Sequence, residues 1–101
     1  MNKPRITIPQ KKLDEFCRRW NVVEFAVFGS ALREDFNSES DVDVLVTFAP
    51  DAEISLFDIA QMQIELERLY RRSVDLIEKA SLRNPYRRRE ILQTAQVLYA
   101  A

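Results

Sequence analysis

A chain of 101 residues, 47% of them apolar, is long enough for one compact domain, and fifteen Lys+Arg against sixteen Asp+Glu give no bulk charge marking a nucleic-acid protein. No histidine, one cysteine and one glycine exclude Ser-His-Asp and Cys-His catalysis, His-ligated zinc, an internal disulfide, the two-glycine Walker loop and the three-glycine dinucleotide fingerprint. No apolar run approaches the ~18 residues of a membrane span, and residues 1–9 are too polar for a signal peptide, so the expected compartment is the cytoplasm.

The segments alternate in type. Pro9 suits the first turn of a helix, and Leu13, Phe16, Cys17 and Trp20 give it an apolar stripe that Asn21 interrupts. Residues 22–28 are β-branched and aromatic and predict a nearly continuous apolar strand. Gly29-Ser30 ends it, residues 31–33 suit a short helical turn, and residues 34–40 read as a polar loop. Residues 41–48 predict a second strand, closed by Pro50. A long helix is expected over 55–71, with Ser55 as cap, Asp58 three residues on, and a broad buried face of Leu56, Ile59, Ala60, Leu66 and Tyr70 flanked by Phe57 and Ile64. Residues 74–77 suit a third strand. Asn84-Pro85 opens a last helix, with Ile91, Leu92, Ala95, Leu98 and Tyr99 at helical spacing; residues 97–99 fit a short edge strand equally well. Interleaved helices and strands predict an α/β (α+β) fold, a small mixed sheet of three to four strands covered by helices, forming one domain over residues 1–101.

Charge is segregated. Residues 34–67 hold ten acids and no base, while all fifteen bases lie elsewhere. Such asymmetry suits an acidic site beside a basic surface. Within the acidic segment, Val42, Val44, Val46 and Phe48 share one face of the second strand, and Asp41 and Asp43 share the other at its start. Neighbouring carboxylates repel, and partial cover removes their hydration. A hard divalent cation such as Mg²⁺ gives them a purpose, because it takes one or two carboxylates together with substrate phosphates. Asp75 is a third acid, placed in an otherwise apolar strand that disfavours it. If that strand pairs beside the second, three carboxylates suit the two-metal arrangement used for in-line phosphoryl or nucleotidyl displacement. Gly29-Ser30 ends the first strand as a candidate phosphate turn, with Arg33 as a charge-assisted donor. Ten residues separate Ser30 from Asp41. A match at four fixed positions, Gly29, Ser30, Asp41 and Asp43, arises by chance on the order of 10⁻³ per chain of this size.

This pattern, Gly29-Ser30-Ala31-Leu32-Arg33 through Ser40-Asp41-Val42-Asp43-Val44-Leu45-Val46, resembles the signature of the minimal nucleotidyltransferases of the DNA polymerase β-like superfamily. Val74-Asp75-Leu76 matches the third carboxylate, and residues 89–99 match the family's tail. Glu34 stands where the family often has glycine. The resemblance implies a small prokaryotic enzyme that binds ATP on Gly29, Ser30 and Arg33 and holds two Mg²⁺ ions with Asp41, Asp43 and Asp75. It also implies an antitoxin that transfers AMP to a tyrosine of a HEPN-domain partner. Two other functions stay open: a non-catalytic antitoxin that covers its partner, and an RNA-binding protein using Arg68, Arg71, Arg72, Arg83 and Arg87-Arg88-Arg89. A homodimer is also compatible with the sequence.

Overall fold

A computed structural model describes residues 6–34, 36–37 and 39–101. Residues 1–5, in the polar start, and Asp35 and Ser38, in the expected 34–40 loop, lie outside the described residues. The elements are α1 (Gln10–Arg19), β1 (Val22–Phe28), a 3-10 turn (Gly29–Leu32), β2 (Val42–Phe48), α2 (Leu56–Tyr70), β3 (Val74–Glu78), a second 3-10 turn (Lys79–Ser81), α3 (Pro85–Thr94) and β4 (Gln96–Ala100). The sheet is mixed, in the order β3-β2-β1-β4. β1 pairs antiparallel with β2 and β4, whereas β2 and β3 run parallel. A parallel pair needs a crossover connection, and α2 supplies it.

Each sheet face has its own core. Leu13, Phe16 and Cys17 of α1 and Met62, Leu66 and Tyr70 of α2 pack on Phe25 and Val27 of β1 and Val42, Val44 and Val46 of β2. Phe16 meets Phe25 edge to face, ring centroids 6.2 Å apart. On the other face, Ala26, Phe28 and Leu45 pack with Leu82 and Ile91 of α3. Strand alternation therefore sends the residues between the valines of β2 toward a second core, with Leu45 buried and Asp43 half-buried.

One expectation needs correction, and one left open is decided. In α2, Leu56 and Phe57 are 87% and 88% exposed, and Ala60 and Ile64 are exposed as well. Of the expected stripe, Leu66 and Tyr70 are buried and Ile59 packs against the main core, while Met62 joins the buried face in place of Leu56 and Ala60. In the last segment, the helix stops at Thr94 and residues 96–100 form the edge strand β4, because β1 offers a free edge on which Phe25 pairs with Tyr99. Leu92, at the expected helical spacing, is exposed.

The chain's stops and starts are locally encoded. Asn21 and Arg71 adopt left-handed φ of 57° and 58°, ending α1 and α2. Ser55 and Asp58 form a reciprocal capping box at the start of α2. Ser55→Ala is expected to lower unfolding free energy by about 1 kcal/mol in a urea melt, without changing activity. Burial pushes the Cys17 thiol up to about 12, with Asp14 contributing, so this cysteine serves as packing rather than as a nucleophile.

Candidate active site

The site forms where β1 ends and β2 and β3 begin. Antiparallel pairing sets Phe28 opposite Asp43, and parallel pairing sets Asp43 opposite Asp75. Adjacent strands lie ~4.8 Å apart and directly opposed residues point to the same face, so Asp43 and Asp75 stand side by side. Asp41 lies two residues upstream on the same side, exposed and just before the strand. Ser73 opens the β3 side of this edge by accepting the Val42 N–H through its carbonyl at 3.0 Å.

Gly29 has φ +63°, and a Cβ there would overlap Asp43 Oδ2, with Asp43 Cγ only 3.3 Å away. The close approach lets the next residue serve β2. Ser30 N–H donates to Asp43 Oδ2 at 3.2 Å. The Ser30 hydroxyl lies against the Asp41 carbonyl oxygen and 3.4 Å from Asp43 Oδ2. Both Ser30 donors face the strand that carries the carboxylates. Arg33 is exposed just after this turn. A cleft of about 230 Å³ runs beside it, lined by Gly29, Leu32, Arg33, Glu90 and Thr94. A larger groove between α1 and α2 lies on the opposite sheet face and contains none of these residues.

Burial raises the Asp43 pKa above the usual carboxylate value; the Ser30 N–H opposes this, and the charges of Asp75 and Asp41 add to it. Asp43 thus stands at the centre of the carboxylate set. Among the described residues they do not close into a three-ligand metal cluster; Asp43 and Asp75 are brought together and Asp41 stands one pleat back. The donor set still suits Mg²⁺, which needs only one or two carboxylates alongside phosphate and water oxygens. A cation would also offset the repulsion centred on Asp43.

Two supporting residues were invisible to spacing arguments. Arg72 donates to the carbonyls of Asn37 at 2.8 Å and Ser40 at 3.3 Å, and its guanidinium sits 4.5 Å from the Phe36 ring centroid. It therefore pins the segment that delivers Asp41. Glu67 accepts the Val74 N–H at 3.1 Å and fixes the start of the strand carrying Asp75. A phenylalanine isolated in a polar loop was the one available hint of the first.

Residues 10–98 match the family described as Nucleotidyltransferase domain. The chain belongs to that family. It is a nucleotidyltransferase, in line with the resemblance carried by Gly29-Ser30 and Asp41-x-Asp43. The protein adenylyltransferase MntA of Thermococcus cleftensis is 40% identical over 79 residues, 78% of this chain and 75% of that one. The fold also matches solved structures. A chain from a toxin–antitoxin structure with AMP-PNP superposes with a TM-score of 0.73 at 17% identity, covering 93% of this chain and 75% of that one. A chain from the tri-AMPylated Shewanella oneidensis HEPN toxin in complex with MNT antitoxin gives 0.64 at 17% identity, covering 91% and 70%. No helix among the described residues is long and apolar enough to cross a membrane.

Proposed function

We propose that this nucleotidyltransferase, acting as one domain over residues 1–101, transfers AMP from ATP to a tyrosine of a HEPN-domain toxin and so serves as the antitoxin of a toxin–antitoxin module. The observation that carries the reading is the register Phe28–Asp43–Asp75, which sets the Gly29 turn against paired carboxylates. Relatives named protein adenylyltransferase, and the fold shared with chains of toxin–antitoxin structures holding AMP-PNP or an AMPylated HEPN toxin, support the donor and the acceptor.

The turn at Gly29-Ser30 and the Arg33 guanidinium hold the β- and γ-phosphates. A phosphate oxygen competes with Asp43 for the Ser30 N–H, because that donor points at the carboxylate. Asp41, Asp43 and Asp75 hold Mg²⁺, which supplies charge neutralisation for the triphosphate and its leaving group. Asp75, exposed at the outer side of the pair, faces the acceptor and helps take its proton. The tyrosine oxygen attacks the α-phosphate in line and pyrophosphate leaves. Catalysis is positioning and electrostatics, which needs no histidine.

The arginines assigned to RNA binding are partly committed elsewhere. Arg72 holds Asn37 and Ser40, and Arg88 donates to the Lys79 carbonyl at 3.3 Å. Incubation of the chain with α-labelled ATP, Mg²⁺ and a HEPN-domain protein encoded beside it is expected to label a tyrosine of that partner. A tight complex with no label in either protein would instead identify an antitoxin that acts by binding alone. RNA affinity that falls steeply with salt would favour the third function.

A further inference from the structure

We infer that the chain also modifies itself, one copy transferring AMP to Tyr86 of a second copy. The inference rests on the adenylyl transfer proposed above. Tyr86 is 83% exposed in the first turn of α3, and its hydroxyl has no hydrogen-bond partner among the described residues. It belongs to neither core, so nothing in the packing explains a large aromatic there. The other two tyrosines are withheld. Tyr70 is buried, and Tyr99 is half-buried against the main core within the paired strand β4.

The surroundings of Tyr86 match what the active site presents. Arg83, Arg87 and Arg89 are exposed around it, whereas Asp41 and Asp75 are exposed at the site. The basic end of one molecule thus complements the acidic end of another.

The topology makes the transfer intermolecular. β2 and β3 start together at the carboxylates and run parallel to Val46 and Glu78. Arg88 reaches back to the Lys79 carbonyl just beyond that end of β3. α3 then returns, and Glu90 and Thr94 line the cleft beside Gly29. Tyr86 precedes Thr94 by eight residues, about 12 Å of helix. Its hydroxyl therefore stands at the opposite end of the sheet from its own Asp43 and Asp75. In the step itself, the Tyr86 oxygen forms a bond to the α-phosphorus of ATP bound to the other copy. The bond from that phosphorus to the bridging oxygen breaks, pyrophosphate departs, and the phenolic proton passes by way of the other copy's Asp75 to the solvent. The product is an aryl phosphodiester of AMP.

The test uses the full chain alone with Mg²⁺ and α-labelled ATP, followed by peptide mapping. Label is expected on the peptide carrying Tyr86, and about tenfold more protein should label each chain about tenfold faster, as a bimolecular step requires. Raised salt should slow it, because the paired charges are exposed. Tyr86→Phe should lose at least about tenfold in self-labelling while still labelling the HEPN partner. Mixing Tyr86→Phe, which keeps its active site, with tagged Asp43→Asn, which keeps its tyrosine, should place label on the Asp43→Asn chain alone. Label elsewhere, a rate independent of concentration, or a labelled partner beside an unlabelled chain overturns the inference and leaves the proposed function standing. Absence of label on both partner and chain removes both.

Discussion

Gly29→Ala is expected to cut nucleotidyl transfer by two orders of magnitude or more and to destabilise the fold by about 1–2 kcal/mol. Two effects combine at this residue. Its φ of +63° strains any residue with a Cβ, and that Cβ would overlap Asp43 Oδ2. The molecule can respond by rotating the turn, which moves the Ser30 donors off Asp43, or by displacing the carboxylate, which moves it from Asp75. Either response misplaces a catalytic group by a distance on the scale of an ångström, and such errors cost about a hundredfold. Measuring kcat/KM for transfer alongside a urea melt separates the contributions. A variant that stays within threefold of the parent rate would show that the close approach of Gly29 to β2 is incidental.

Asp43→Asn should abolish transfer, by about a thousandfold or more, without lowering Tm. The loss follows from removing a charged oxygen donor at the centre of the carboxylate set, where metal-assisted charge stabilisation is worth several kcal/mol. The retained stability follows from the same environment. Burial and the charges of Asp75 and Asp41 all disfavour the Asp43 carboxylate in the folded protein, and an amide removes that penalty while its oxygen still accepts the Ser30 N–H. Thermal unfolding without added Mg²⁺, paired with the transfer assay, checks both halves. An active Asp43→Asn protein would overturn the site assignment, and a marked fall in Tm would mean that the carboxylate is structural.

The two variants probe features of different legibility. Gly29, Ser30, Asp41 and Asp43 were readable because one short connection links them: a strand end, a turn and a strand start, at a fixed spacing that antiparallel pairing must respect. Asp75 was readable as an anomaly, an acid in an apolar strand, although nothing local fixed its neighbour. In the sequence Arg72 is only one of a set of arginines open to RNA binding, since the carbonyls of Asn37 and Ser40 that it holds come from a segment more than thirty residues away. The exposed start of α2 has a related origin. Periodicity shows that a helix has an apolar side, but how far the helix overhangs its sheet depends on where the strands stop. Leu56 and Phe57 fall beyond that limit.

Residues 97–99 show the same division between local and distant information. Their apolar spacing suits a helix or a strand equally, and the free edge of β1 decides in favour of β4 after Thr94. The sequence by itself determined the chemistry available to this protein: without histidine, with a single cysteine, and with three strand-associated aspartates near a glycine turn, carboxylates must do the work. Tertiary structure alone decided the register, because hydrogen-bonded pairing between β2 and β3 depends on the path of α2 between them. That register sets Asp43 beside Asp75 and turns Ser30 toward both Asp41 and Asp43. It also leaves Tyr86 at the far end of the sheet, outside the reach of its own active site.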